Sequence, residues 1–226
     1  SSLKAFASVN QSLRLPTFTD LYTSNSALQG SPDLKPETAL TYELGLKYTT
    51  RFVNAGLSGY YRQGRNVIDW IKTPDEIKFK SVNHAQVDAL GGEAFAEYAP
   101  MQFLQRVKLS YSYLWLDKAT DEYVSKYALD YLRQKVALTL DHNIYKGFSA
   151  SWRASWQERN GTYVEPITNV VKNYEPFFLT DLRVQWANKN IKVYVECTNL
   201  FDSHYWDYGG IEQPGRWVRT GIIVKL

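Results

Sequence analysis

The chain carries one cysteine, one methionine and three histidines in 226 residues, and each scarcity excludes a class of chemistry. Cys197 alone cannot close an internal disulfide, and His84, His142 and His204 stand too far apart in sequence for zinc-type ligand spacing. No metal site, glycine-rich phosphate loop or calcium loop is expected. No run of about 18 apolar residues occurs, so no α-helix of this chain can span a bilayer. A formal net charge of +3, with the basic residues dispersed, leaves no footprint for nucleic acid. The opening residues, Ser1-Ser2-Leu3-Lys4-Ala5-Phe6, are already strand-like and lack the charged region and cleavage site of an export signal. We expect the chain to be cut from something longer.

What the chain has in abundance is aromatic: 17 Tyr, 7 Trp and 10 Phe. Amphipathic rings gather where a membrane meets water, but soluble antiparallel sandwiches favour them too. Alternation along the strands identifies β structure but separates these two only weakly, since both alternate; the connections separate them better. Residues 39–48 place Leu40, Tyr42, Leu44, Leu46 and Tyr48 on one face, with Thr41, Glu43, Gly45 and Lys47 on the other. In 148–157, Phe148, Ala150, Trp152, Ala154 and Trp156 oppose Ser149, Ser151, Arg153, Ser155 and Gln157. Segments 52–62, 106–116, 132–141 and 178–186 alternate in the same way. Period 2 sustained over so many segments predicts an all-β, antiparallel chain of about ten strands, paired nearest neighbour to nearest neighbour throughout. Two strands are less regular: glycines 91 and 92 suggest a bulge in the fourth, and the ninth, near 192–198, is partly apolar on both faces.

The connections alternate as well. Residues 49–51, 100–102, 143–146 and 188–190 read as tight turns, whereas 12–38, 64–78, 117–129, 158–176 and 202–215 read as long, polar, aromatic-dotted links. Short turns on one side and long loops on the other are the habit of an up-and-down transmembrane β-barrel, with the long loops outside the cell. One continuous face carrying Val107, Leu109, Tyr111, Tyr113, Trp115, Phe148, Ala150, Trp152 and Ala154 should then meet lipid.

The ending Asn199-Leu200-Phe201-Asp202, Tyr205, Pro214-Gly215-Arg216 and an alternating last strand resembles the C-terminus of TonB-dependent outer-membrane receptors. So does the early run from Leu13-Arg14-Leu15-Pro16 to Asp20-Leu21-Tyr22, followed by Pro32-Asp33-Leu34-Lys35-Pro36-Glu37, and so does the Gly92-Glu93 pair. The resemblance covers essentially the whole chain, although Leu226 stands where that family usually ends in Phe. It implies that residues 1–226 are the C-terminal part of a receptor barrel, about ten strands of roughly 22, with the plug domain and TonB box absent. It also implies an outer-membrane location in a Gram-negative bacterium and active uptake of a large scarce nutrient, driven by the TonB complex through that missing plug. The compact boxes most resemble the vitamin B12 (cobalamin) branch, with ferric-siderophore or haem receptors as alternatives. A haem receptor normally carries a histidine between the two early boxes, and none lies between Arg14 and Glu37. No cofactor is implied. A piece with two open strand edges should self-associate when isolated.

Candidate ligand contacts come from the aromatics of the long links: Tyr205, Trp206 and Tyr208 first, then Trp70 and Tyr163, with Tyr123, Tyr127 and Tyr174 beside them. Rings of this kind bind large planar or apolar ligands by stacking and buried area, and they also serve as membrane-interface anchors. The charges Glu43, Arg153, Asp181, Arg183 and Arg219, with Lys47 and Lys225, fall on the polar face and are candidates for plug contact. For catalysis, only His204 with Asp202 and Asp207 could imitate the rim of a ten-stranded outer-membrane protease, and no base–nucleophile geometry supports it. A passive pore or adhesin barrel would lack the paired boxes. The expectation is a receptor and not an enzyme.

Overall fold

Alternating β-branched and aromatic residues favour extended backbone, and the computed structural model resolves that preference into ten long strands. It describes residues 1–73, 76–100, 103–118, 124–125, 131–165, 168, 170–207 and 210–225. The strands are β1 (Ser2–Arg14), β2 (Glu37–Thr49), β3 (Val53–Lys72), β4 (Phe79–Tyr98), β5 (Leu104–Lys118), β6 (Tyr131–Asn143), β7 (Phe148–Asn160), β8 (Phe177–Ala187), β9 (Ile191–Thr198) and β10 (Trp217–Val224). They pair antiparallel in chain order. Among the described residues no ladder joins β1 to β10, so both are edges.

Register explains the two faces. Leu3, Tyr48, Ala55, Ala96, Leu109, Leu138, Ala154 and Thr180 sit opposite one another or one step away across eight strands. Trp152 lies opposite Leu140 and Leu182, and Leu182 opposite Cys197, which carries the same surface to β9 and β10. The apolar face is therefore unbroken and open to the surroundings, with Leu44 67% and Leu57 59% exposed. The other face carries Lys47, Glu43, Arg153, Asp181, Arg183, Glu196 and Arg219, because a side-chain period of 2 sends neighbours to opposite sides.

On that polar face four rings lie against cross-strand glycines: Phe6 against Gly45, Phe95 against Gly56, Tyr60 against Gly91 and Tyr194 against Gly221. A Cβ on any of these glycines would collide with the ring. The expected bulge at Gly91-Gly92 is thus corrected. Both glycines keep regular register on either side, and Gly91 makes room for Tyr60. The irregularities fall instead between Leu104 and Arg106 and between Leu132 and Gln134.

Short turns and long links do alternate. At the short-turn end, Lys146 and Gly147 both take positive φ (42° and 87°), and Asn188 Oδ1 accepts from the backbone N–H groups of Asn190 and Ile191. At the other end two expectations need correction. Residues 64–72 are strand rather than link: Val67, Ile68, Asp69 and Trp70 are all buried, so both faces are covered and no alternation marks the strand. Strict nearest-neighbour antiparallel pairing also fails at two places among the described residues: the two-residue strand Leu28–Gln29 pairs parallel with Phe79–Lys80, and Val124–Ser125 pairs antiparallel with Ile71–Lys72 of β3. Folded back by the helical turn Phe18–Tyr22, Leu28–Gln29 caps the protruding end of β4.

Candidate functional site

The long-link end is built in two different ways. Over β7–β10 two small hairpins rise from the sheet, one pairing Thr162–Val164 with Val171–Asn173, the other pairing Trp206–Asp207 with Ile211–Glu212. The sequence fixes the base of the second. Asn199, with φ 49°, turns the chain off β9; its amide group exchanges hydrogen bonds with the Ser203 backbone, and its own N–H donates to Asp181 Oδ1 at 3.0 Å. Asp202 then accepts the Arg216 N–H at 2.7 Å, passing close over Gly215, where a Cβ would leave no room. The Asn-Leu-Phe-Asp and Pro-Gly-Arg motifs are thus the two halves of one loop clasp.

Between the hairpins lies a cavity of 490 Å³, lined by Tyr163, Lys172, Asn173, Tyr174, Glu175, Pro176, Phe177, His204, Tyr205 and Trp206. Tyr163 stacks on Trp206 at 5.7 Å and leans on Tyr174 at 5.1 Å, while Phe177 meets Tyr205 at 4.5 Å. Burial pushes the Tyr205 hydroxyl up from its ordinary pKa, and the charges of Asp207 and Asp181 push the same way. It is a neutral donor across physiological pH. Lys172 is held by Glu165 at 2.6 Å, which lowers the acid's pKa and raises the lysine's. This wall offers ring faces, hydroxyls and few free charges. It suits a large, partly planar ligand.

Over β1–β4 the same end is closed by charge. Arg14 reaches Asp20 at 3.2 Å and Glu37 at 3.3 Å, and Arg62 reaches Glu37 at 3.1 Å. Thr17 caps the helical turn, with Asp20 accepting from the Thr17 N–H and hydroxyl and, through Oδ1, from the Trp70 indole N–H at 3.2 Å. Burial raises the Asp20 pKa, but the Thr17 and Trp70 hydrogen bonds and the Arg14 charge outweigh it and hold the carboxyl below its usual range. Asp69, 1% exposed, accepts the Trp70 N–H alongside.

The structure therefore brings Tyr163, Tyr205 and Trp206 together and sets Trp70, 5% exposed, in the distant polar clasp. Tyr208, Tyr123 and Tyr127 lie outside the described residues. On the polar face, Arg153 stands opposite Asp181 and Arg183 opposite Glu196, which also pairs with Arg219. Arg183 lies 3.9 Å over the Tyr194 ring, and Glu43 accepts from Ser8 at 3.5 Å. His204 points to Glu212 at 3.6 Å, while Asp202 serves Arg216 and Asp207 pairs with Arg159. Phe177 and Lys172 are cavity residues that the sequence does not single out: Phe177 reads with Phe178 as the start of a strand, and Lys172 as an ordinary charge of a polar link. Sequence inspection missed Asp20 as well, although the Thr17-to-Asp20 spacing is a helix-capping signature.

Residues 1–200 match the family described as TonB dependent receptor-like, beta-barrel. The chain is 28% identical over 218 residues to the vitamin B12 transporter BtuB of Photobacterium profundum, across 91% of this chain and 32% of that protein. It superposes on the copper transporter OprC with a TM-score of 0.77 at 18% identity, over 99% of this chain and 37% of that one. A mutant of the ferric enterobactin receptor PfeA from Pseudomonas aeruginosa superposes with a TM-score of 0.71 at 17% identity, over 98% and 38%. These two likenesses establish the fold. The chain spans about a third of the length of the curated B12 transporter it matches.

Proposed function

Because the chain belongs to the TonB-dependent receptor-like β-barrel family, we propose that it supplies the C-terminal ten strands of an outer-membrane receptor that takes up vitamin B12. The observation that carries the transport role is the placing of one aromatic cavity at the long-link end of a wall that is apolar on one face and charged on the other. The apolar face meets lipid, the long-link end faces outward, and the charged face lines the lumen. There Glu43, Arg153, Asp181, Arg183 and Arg219 contact the plug through which TonB acts. The open edges of β1 and β10 pair with the remaining strands of the barrel, and in an isolated piece they would drive self-association.

Cobalamin is favoured as ligand by the likeness to a B12 transporter along most of this chain, and by a cavity that offers ring faces for a corrin edge. Ligand meets Tyr205, Trp206 and Tyr208 first, with Tyr163 behind Trp206, while Trp70 holds the loop frame. Replacing Tyr205, Trp206 and Tyr208 with alanine in the full-length receptor should weaken cyanocobalamin binding tenfold or more, at least about 1.4 kcal/mol, with surface expression unchanged. Equilibrium binding to cells or to detergent-purified receptor reads this directly. Unchanged affinity removes the loop from the site. Tight binding of a ferric siderophore, with none of cyanocobalamin by the unmutated receptor, moves the substrate to the iron branch.

A further inference from the structure

Residues 174–205 separate the two hairpins that frame the cavity, yet a chain of contacts running over the end of β7 joins one to the other. Arg159, at the end of β7 where the first hairpin leaves, ion-pairs with Asp207 in the second. Its guanidinium also lies 5.7 Å over the Tyr174 ring, and its side chain is only 11% exposed. Tyr174, just after the first hairpin, accepts the Gly210 N–H of the second at its hydroxyl, 2.8 Å away. Gly210 takes φ +67° and lies so close to Tyr163 that a Cβ there would come within 2.6 Å of the Tyr163 Cβ. The Tyr163–Trp206 stack completes the seam.

We propose that Arg159 is a positioning residue for the cavity: by pairing with Asp207 and stacking on Tyr174 it locks the two hairpins into one pre-organised wall. It does not line the cavity itself. A charged group this enclosed is held only by its partners, so losing one of them frees the hairpins from each other without touching the strand ladder. Ordering two independent hairpins around a ligand costs affinity, and a wall ordered beforehand avoids that cost. The effect on binding rests on the ligand role proposed for this cavity; the locking does not.

The two can be tested separately in the full-length receptor with Cys197 and every other cysteine replaced by alanine. Spin labels on Val171→Cys and Ile211→Cys, both exposed and one on each hairpin, report the distance between hairpins without ligand. A narrow distance distribution is expected in the parent and a broad one in Arg159→Gln. Gly210→Ala, which attacks the seam from the other side, should broaden it too, and Tyr174→Phe, which keeps the ring, should do so less. Cyanocobalamin affinity should fall about tenfold in Arg159→Gln through faster dissociation, and Arg159→Gln combined with Asp207→Asn should cost less than the two losses added, because the residues share a contact. A distribution that stays narrow in Arg159→Gln overturns the locking by Arg159, whatever Gly210→Ala shows. A broadened distribution with unchanged affinity in a cobalamin-binding receptor overturns the positioning role. Failure of the parent to bind cyanocobalamin refutes the ligand assignment instead, and the distance measurement still decides the locking.

Discussion

The two outer corners of the wall, β1–β4 and β7–β10, share a supply of acidic residues and differ in their rings. Residues 12–38 and 64–78 contain Phe18, Tyr22 and Trp70, whereas the shorter stretches 158–176 and 202–215 contain Tyr163, Tyr174, Tyr205, Trp206 and Tyr208. Over β1–β4 the carboxylates of Asp20 and Glu37 gather Arg14, Arg62, Thr17 and the Trp70 indole, and the aromatic ring is buried as a hydrogen-bond donor. Over β7–β10 the rings of Tyr163, Tyr174, Phe177, Tyr205 and Trp206 gather one another, and packing of flat plates at angles leaves 490 Å³ between them. The lesson is that an aromatic residue at the outer end, on a strand or in a loop, takes its role from its neighbours. Beside a buried carboxylate it is part of a clasp; among other rings it is part of a pocket.

The largest effect that could break this division lies at Asp20. Its carboxylate accepts from four groups, and Asp20→Ala leaves the buried Trp70 N–H and the Thr17 N–H without their acceptor. Loss of a charge-assisted acceptor at a buried site costs about 2–3 kcal/mol. Urea unfolding of the receptor should show that loss while cyanocobalamin affinity stays within twofold of the parent. A large loss of affinity with little loss of stability would mean that the clasp, too, belongs to the ligand site.

How much of this could be read from residues alone differs between the same two corners. The strand wall was legible because one face is apolar and the other polar, so that Trp152 and Arg153, adjacent in sequence, declare their sides. The expected order, pairing and faces all follow from that. The extension of β3 was illegible for the converse reason. Val67, Ile68, Asp69 and Trp70 are all buried, so both faces are covered, and a continuously buried run carries no period of 2. The cavity was half legible. Tyr205 and Trp206 stand in an obvious aromatic run, but their partnership with Tyr163 depends on Arg159 meeting Asp207 across 48 residues. No local pattern encodes a contact of that range.

A second, smaller effect sharpens the contrast through pH. The Asp20 carboxyl is held below its ordinary value of 3.8, so its contribution to stability is complete above that value. It is lost as pH falls through the lower folded value. No change from this group is expected between pH 7 and pH 5, and the β1–β4 corner should loosen only in strong acid. Hydrogen exchange resolved by segment would show residues 15–31 losing protection before the hairpins of β7–β10. Asp20→Asn, which cannot titrate, should remove that acid-dependent difference. Loss of protection at both corners together would show that the two are mechanically one.

The smallest effect is the most pointed, because it concerns the ring buried in the polar clasp. Trp70→Phe keeps an aromatic plate but deletes the N–H that reaches Asp20 Oδ1 at 3.2 Å. Asp20 keeps its bonds from Thr17 and Arg14, so the loss is that of one hydrogen bond to a charged group already well served. About 1 kcal/mol of stability should disappear, clearly less than in Asp20→Ala, and cyanocobalamin affinity should not move. The two substitutions combined should cost little more than Asp20→Ala alone, since both remove the same contact. If Trp70→Phe instead weakens cyanocobalamin as the Tyr205, Trp206 and Tyr208 substitutions are expected to, then the ring works on ligand from within the clasp. The division between a corner that holds and a corner that binds would then have to be redrawn around Trp70.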